Sequence, residues 1–225
     1  MMGRDSFLLA VISLPGCFDG EYDILEGMLE AGLQKLHLRK PGASDAERAA
    51  LLERLAPRWA SRLVWHGSRE RAACYGIPQI HGSVDFADGQ GKSGGGRFAG
   101  RVDGGGEPGR VTGGGAVGGE PAISTSVHSW AEMKALPAGL AYAFISPLFD
   151  SISKQGYGAN PALLQQPVDD LPCMPIGLGG IDAGTIGEVI RAGWKGAAVL
   201  GWVWASPAEA VQRYEQLKKI IDEQR

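Results

Sequence analysis

The sequence has no surplus of basic residues: 22 lysines and arginines stand against 25 acidic residues, a formal net charge of -3 over 225 residues. Proteins that bind nucleic acid usually carry a basic face, so this balance argues against such a partner. The sequence also has no run near the roughly 20 apolar residues that a membrane-spanning helix needs. These absences predict a protein that binds neither nucleic acid nor membrane.

Cysteine is scarce, and its three copies, Cys17, Cys74 and Cys173, have neither metal-site nor redox-motif spacing. An odd, scattered set of this kind fits a reducing compartment, so we expect a cytoplasmic protein. The four histidines also lack the close spacing of metal ligands and are weak evidence for a histidine-ligated metal. There is no Walker loop, and no GxGxxG motif follows the first apolar run, which argues against nucleotide binding of those kinds.

The apolar run at residues 7–14, with Cys17 soon after it, is open to two interpretations. As a lipoprotein signal the run is short, and Asp5 offsets the charge of Arg4 just before it. As a buried first strand it fits the pattern of the rest of the chain. We favour the strand.

A βαβ pattern stands out near the carboxyl end. Two apolar runs, 175–178 and 197–200, flank a helical segment that opens at Thr185, and Gly179, Gly180 and Gly201 follow the two runs directly. Glycines just past neighbouring parallel strands leave backbone amides uncovered, so a phosphate can approach them closely. The alternative is that these glycines only make tight turns.

Eight predicted strands alternate with helical patterns along the whole chain, and four of the helical patterns open with Ser or Thr followed three residues later by Glu, as in a capping box. This order predicts an α/β fold, a (β/α)₈ TIM barrel forming a single domain over residues 1–225, with a doubly wound open sheet as the alternative. The predicted strands lie at residues 7–14, 34–39, 62–66, 77–81, 122–126, 141–145, 175–178 and 197–200.

Residues 88–121 differ in composition from the rest, because glycine recurs there singly and in triplets and few large apolar residues remain. Such a segment cannot bury enough apolar surface to offset the entropy lost on ordering. We expect a Gly-rich, flexible insert between strands four and five of the barrel.

In a TIM barrel the functional residues lie on the loops that follow the carboxyl ends of the strands. The chemically useful side chains at those places are Arg39, Lys40, His66, His81 with Asp85, Ser126 with His128, and the group Ser151, Ser153 and Lys154. The last group offers two hydroxyls and a cation in one loop, which suits an anion clamp. Other roles stay open: Arg39 and Lys40 could cap a helix–loop junction, and His128 could close a layer of the barrel.

Four segments, taken in order, resemble motifs of the thiamine phosphate synthase family, which also contains the thiazole tautomerases. LHLRKPG (36–42) is similar to the family's substrate motif after strand two, and STSVHS (124–129) to its Gly-x-Ser-x-His strand end. SPLFDSISKQGYG (146–158) resembles its Thr-x-Thr-Lys loop, and GLGGI with AAVLGW resembles its paired glycine turns.

The resemblance implies a transferase that joins an aminopyrimidine methyl pyrophosphate to a hydroxyethylthiazole phosphate, giving thiamine phosphate and pyrophosphate with Mg²⁺ as cofactor. Its partners would be these phosphorylated small molecules, and a homo-oligomer is compatible with the sequence. Such a reaction needs a site that positions two rings and neutralises phosphate charge.

The same resemblance implies roles for individual residues. Lys154 would contact the pyrophosphate, Ser151 and Ser153 the thiazole, and Ser126 the pyrimidine. The remaining substrate-binding residues would be Arg39, Lys40, His66, Gly179, Gly180, Leu200 and Gly201, the glycine turns holding the thiazole phosphate through backbone amides. Asp85 would be a metal ligand, and His128 a catalytic residue.

The chain departs from the family pattern at three places. His66-Gly67 stands where the family has Asn-Asp, whose Asp is a Mg²⁺ ligand, and Asp85 lies one residue closer to its motif histidine. Lys40 falls one residue before the family's lysine. Three functions therefore stay open: the transferase, a thiazole phosphate tautomerase that uses His128 as a general base without metal, and a non-catalytic thiazole phosphate-binding protein.

Overall fold

A computed structural model describes residues 7–83, 122–150, 160–165 and 170–224. Its eight parallel strands pair in chain order and close into a barrel, which confirms the predicted (β/α)₈ fold. The strands are β1 (Leu8–Ile12), β2 (Lys35–Leu38), β3 (Leu63–Trp65), β4 (Gln79–His81), β5 (Ala122–Val127), β6 (Tyr142–Ile145), β7 (Met174–Leu178) and β8 (Gly196–Val199). The first strand occupies the amino-terminal apolar run, as expected.

Helices follow the strands on the outside of the barrel. They are α1 (Glu21–Glu30), α2 (Asp45–Trp59), α3 (Arg69–Cys74), α4 (Trp130–Lys134), α5 (Pro161–Leu164), α6 (Ile186–Arg191) and α7 (Ala210–Glu223), with 3₁₀ turns at Ala60–Arg62, Val203–Ala205 and Pro207–Glu209. None of the helices within the described ranges is long and apolar enough to cross a membrane. The predicted Gly-rich insert lies outside the described residues.

The apolar side chains form two layers because successive residues of a strand point to opposite faces. In β1, Leu8, Ala10 and Ile12 belong to the cluster inside the barrel, whereas Leu9 and Val11 belong to the cluster between strands and helices. Closure is sealed by β1 against β8, with Leu9 paired to Ala197 in a parallel register. Both faces of each strand are thus covered, as a parallel sheet requires.

Of the four predicted capping boxes, one is complete and three are not. Ser44 and Glu47 form the complete box at the start of α2. At α4 the Ser129 hydroxyl accepts from the Glu132 amide, but the Glu132 carboxylate accepts from the His128 amide and not from that of Ser129. At α6, however, Thr185 makes no side-chain cap, and the carboxylate of Asp182 accepts the amides of Gly184 and Thr185 instead. Ser206 likewise caps no helix with its side chain, because a 3₁₀ turn intervenes before α7. The local Ser/Thr pattern does not reveal that an upstream aspartate caps the helix instead, or that an extra turn precedes it.

Candidate functional site

Three histidines meet inside the barrel near the carboxyl ends of its strands. His37 lies in β2, His66 directly follows β3, and His81 ends β4. One ring nitrogen of each residue lies within 4.8 Å of the corresponding nitrogens of the other two. The rings of His66 and His81 are stacked with centroids 4.3 Å apart, and those of His37 and His66 are 5.1 Å apart, edge to face. We refer to these three residues as the histidine cluster.

Strand parity places the cluster inside the barrel. In β2 the neighbours of His37, Leu36 and Leu38, pack in the outer apolar layer, so His37 points the opposite way, toward the barrel axis. The side chains of His81 in β4 and of Ser124 in β5 meet in this interior layer, because the two residues are partners in the parallel register. Closure of the barrel then brings the strands into one ring, so their inward side chains converge.

Hydrogen bonds orient two rings of the cluster. His37 Nδ1 lies 2.9 Å from His66 Nε2, and His37 Nε2 lies 2.6 Å from the Tyr142 hydroxyl. His81 Nδ1 lies 3.0 Å from Ser124 Oγ, whose own hydroxyl donates to the Ile80 carbonyl at 3.2 Å. Because the Ser124 hydroxyl already donates its proton to Ile80, it accepts a hydrogen bond from His81 Nδ1–H. His81 Nε2 then carries the lone pair, which faces Ser126 Oγ at 3.0 Å.

The cluster is electrically neutral near pH 7. Burial, reinforced by the neighbouring imidazoles, holds the pKa of His37 well below its usual value. Burial, followed by the charges of His81 and Arg39, does the same for the pKa of His66. Burial and the charge of Arg39 lower the pKa of His81 to about 4. Neutral imidazoles can accept a proton or coordinate a metal, and imidazolium ions cannot.

Ser126 lies beside the cluster at the exposed carboxyl end of β5, with its Oγ 3.0 Å from His81 Nε2, and His128 directly follows that strand. The ring of His128 is oriented by the loop that follows β6, because its Nδ1 lies 3.1 Å from the Ser146 carbonyl oxygen. A carbonyl only accepts, so Nδ1 carries the proton and Nε2 is the basic nitrogen. The His128 backbone amide donates to Glu132 at 2.9 Å.

The two predicted basic substrate ligands lie in different surroundings. Arg39 is exposed and near enough to the cluster to lower the pKa of His66 and His81. Lys40 is buried, and its ammonium group donates to the Gly16 carbonyl at 2.8 Å and forms an ion pair with Glu21. Arg39 is therefore an exposed charge close to the histidine cluster, whereas the charge of Lys40 is engaged in a buried ion pair.

The glycine turn after β7 is held by close packing. Gly179 and Gly180 have φ values of 97° and 62°, a region that side chains rarely adopt. The Gly179 carbonyl accepts from Phe149 at 3.1 Å, which ties this turn to the segment after β6. Leu200 and Gly201 follow β8, and Gly201 is exposed. The two predicted phosphate turns thus follow adjacent, paired strands.

The remaining predicted site residues cannot be placed. Asp85, Ser151, Ser153 and Lys154 lie outside the described residues. Their roles stay predictions that follow from the family resemblance alone.

The side chains that surround the cluster do not fit a Mg²⁺ site. Magnesium prefers carboxylate, phosphate and water oxygens in octahedral geometry. In the described ranges, the group of potential metal ligands that converges consists of three imidazoles and contains no carboxylate. Imidazole suits Zn²⁺, Cu²⁺, Ni²⁺ and iron better than magnesium.

The same architecture occurs in solved structures of small-molecule enzymes. The chain is similar to a thiamine phosphate pyrophosphorylase from Bacteroides thetaiotaomicron, with 22% identity and a TM-score of 0.69 over 97% of this chain and 99% of that one. It is also similar to a thiamine phosphate pyrophosphorylase from Pyrococcus furiosus, with 18% identity and a TM-score of 0.68 over 98% of each chain. The wild-type GGGPS from Thermoplasma volcanium is also similar, with 10% identity and a TM-score of 0.62 over 98% of this chain and 94% of that one.

No protein-family model matches the sequence, and no curated protein matches it. The structural similarity shows that the chain shares the barrel fold of these two pyrophosphorylases over nearly the full length of the proteins. This agrees with the fold expected from the sequence motifs.

The histidine cluster itself is not predicted by residue spacing. His37 and His66 are 29 positions apart in the sequence, and His37 and Tyr142 are 105 apart. One signal is present in the sequence: a histidine between two leucines in a short strand points opposite to the leucines. If the leucines face the helices, the histidine faces the barrel axis.

Proposed function

We propose that this protein is a thiamine phosphate synthase-like transferase that joins an aminopyrimidine methyl pyrophosphate to a hydroxyethylthiazole phosphate in the cytoplasm. The observation that carries the proposal is the order of the family-like segments around one end of a barrel. Arg39 follows β2, Ser126 ends β5 with His128 beyond it, Gly179 and Gly180 follow β7, and Gly201 follows β8. The full-length similarity to two thiamine phosphate pyrophosphorylases supports it.

Each group would contribute binding or charge. The amides of the two glycine turns would hold the thiazole phosphate, and the Ser126 hydroxyl would orient the pyrimidine. Arg39 supplies positive charge at the mouth, and Lys154 would stabilise the departing pyrophosphate. Because negative charge grows on the leaving group as its bond breaks, Lys154 should affect turnover more than binding.

The test is thiamine phosphate formation from the two substrates by the purified full chain, with Mg²⁺ and separately with Zn²⁺. Lys154→Ala should slow turnover about tenfold to hundredfold, since one charge-assisted contact contributes about 1.5–3 kcal/mol. Lys219→Ala is the matched control, because that lysine is exposed on α7 and pairs only loosely with Glu223 at 3.7 Å. Absence of product from the parent protein under both conditions would exclude the transferase.

A thiazole phosphate tautomerase is a second candidate, and the orientation of His128 favours it. Its Nδ1 faces a carbonyl oxygen, so the exposed Nε2 is an available general base. This function predicts deuterium exchange into the thiazole precursor without any pyrimidine substrate. His128→Asn should slow that exchange at least tenfold, since positioned general bases contribute about 10²–10⁴-fold. If thiazole phosphate binds but neither deuterium exchange nor thiamine phosphate formation is detected, the non-catalytic binding protein is the remaining function.

Phosphate recognition is shared by all three functions and is tested separately. Gly201→Asp places a carboxylate at the exposed turn after β8, where the thiazole phosphate is proposed to bind. Calorimetric titration with thiazole phosphate should show loss of binding, while circular dichroism shows an intact fold. Unchanged affinity would mean that the glycine turns serve the backbone only.

A further inference from the structure

The histidine cluster has the composition of a transition-metal site. Among the described residues, His37, His66 and His81 are the group whose ring nitrogens converge closely enough for one ion. We propose that these three histidines bind a single divalent transition-metal ion of the Zn²⁺ class. This inference does not rest on the proposed function, because metal binding is measured directly and without turnover.

One pair of ring nitrogens lies near the separation that a bound ion requires, and the nitrogens of all three histidines lie within 4.8 Å of one another. Two nitrogens that share a tetrahedral zinc at 2.0–2.1 Å lie about 3.3 Å apart. His37 Nδ1 and His66 Nε2 are 2.9 Å apart, so these two nitrogens need to move apart by only a few tenths of an ångström to share the ion. In the metal-free protein one of these nitrogens must donate a proton to the other, and the ion takes the place of that proton.

The surrounding hydrogen bonds leave suitable lone pairs inside the cluster. His37 Nε2 can donate to the Tyr142 hydroxyl, which frees Nδ1 for the ion. His81 Nδ1 donates to Ser124 Oγ, which frees Nε2. Metal-binding histidines usually donate their second N–H to a neighbouring acceptor in this way, which fixes the tautomer and the ring orientation.

The fourth coordination position faces the barrel mouth. His37 is fully buried, but His66 and His81 are partly exposed, so solvent reaches the cluster from their side. Ser126 Oγ lies 3.0 Å from His81 Nε2 on this side, within reach of a metal-bound water. Three imidazoles and one open position are the ligand set typical of catalytic rather than structural zinc. The nearby charge of Arg39 favours an anion, such as hydroxide or a phosphate oxygen, as the fourth ligand.

The chemical composition of the cluster agrees with this assignment. A carboxylate-free ligand set discriminates against Mg²⁺. His66, one of the three ligands, stands where the family has the Asn that precedes its magnesium-binding Asp, and Gly67 stands in place of that Asp.

The experiment titrates metal-depleted, tag-free full-length protein with Co²⁺, followed by its visible spectrum, and then displaces Co²⁺ with Zn²⁺. We expect one equivalent of Co²⁺ with the strong absorption of tetrahedral coordination, and no competition from millimolar Mg²⁺. The same protein should show a higher melting temperature in Zn²⁺. A band from thiolate ligation would instead assign the ion to a cysteine.

Two variants test the ligands and one serves as the control. His66→Asn and His81→Asn should each weaken Co²⁺ binding at least tenfold, while His128→Asn, a histidine outside the cluster, should bind as the parent does. Circular dichroism checks that each variant is folded. If one of the two cluster variants does not fold, the Co²⁺ affinity of the other tests the proposal. A stoichiometry far below one equivalent in the parent, or equal affinity in the parent and the folded cluster variants, would overturn the proposal.

Discussion

The Tyr142 hydroxyl lies 2.6 Å from His37 Nε2, inside the barrel and with both side chains buried. Tyr142→Phe removes this partner and leaves a buried imidazole nitrogen without it. The free energy of unfolding should fall by about 1–3 kcal/mol, the cost of an unsatisfied buried polar group. Urea unfolding of the metal-free protein measures it. Tyr75→Phe, at the half-buried end of α3, is the control and should change stability by less than about 0.5 kcal/mol.

The buried ion pair of Glu21 and Lys40 yields a second prediction. Both side chains are almost fully buried, with exposures of 2% and 0%. Glu21→Ala leaves the Lys40 ammonium uncompensated, and should cost about 3–5 kcal/mol of stability. The double variant Glu21→Leu, Lys40→Met removes both charges and should recover most of this loss. Denaturant unfolding of the three proteins measures both effects.

An exposed ion pair is the matched comparison for Glu21. Glu26 lies 3.6 Å from Arg58, whose side chain is 59% exposed. Glu26→Ala should therefore cost no more than about 1 kcal/mol. Similar losses for Glu21→Ala and Glu26→Ala would show that Lys40 reaches solvent when Glu21 is removed.

Gly180 lies where a side chain has no room. A Cβ atom there would come within 2.5 Å of the Asp150 carbonyl oxygen and 2.7 Å of Phe149 Cβ. Gly180→Ala should therefore cost about 1–2 kcal/mol for the left-handed backbone and about 1–3 kcal/mol more for the steric clash. It should also displace the segment after β6 and weaken thiazole phosphate binding. Thermal denaturation and calorimetric titration measure the two effects.

The chain contains a matched control for that clash. Gly76 has a φ of 63°, almost the same as Gly180, but a Cβ atom there would meet nothing within 4 Å. Gly76→Ala should therefore show the conformational cost alone and leave phosphate binding unchanged. Equal destabilisation by the two substitutions would mean that the segment after β6 moves freely away from Gly180.

Tyr214 should make stability fall at alkaline pH. Burial raises the pKa of Tyr214 to about 12. The charges of Asp222 and Glu215 add to this rise, and the charge of Arg62 opposes it. Because the pKa is higher in the folded protein, the stability that this shift contributes is complete below pH 10, the pKa of tyrosine in the unfolded chain. It is lost as the pH rises toward 12. Between pH 8 and pH 11 the parent should lose about 1.4 kcal/mol relative to Tyr214→Phe. A pH-independent difference between the two proteins would contradict this.

The sequence alone determines where the strands lie and which residues follow them. Short strand-like segments between helical patterns mark the eight strands, and most of these segments are apolar because a parallel barrel buries both faces of every strand. The same reasoning predicts the position of Arg39 after β2 and of Ser126 near the end of β5, since each stands at the carboxyl end of such a segment. Ser44 and Glu47 predict their capping box because the contact spans three residues.

Only the tertiary structure decides which of these strand-end residues meet. His37, His66 and His81 become one cluster because β2, β3 and β4 are neighbours in a closed ring, with alternate side chains directed inward. The partner of Lys40 is decided in the same way, since Glu21 lies 19 positions earlier, at the start of α1, whereas Lys40 follows β2. Local pattern specifies each element, whereas burial, charge pairing and metal-ligand geometry depend on contacts between residues far apart in the chain.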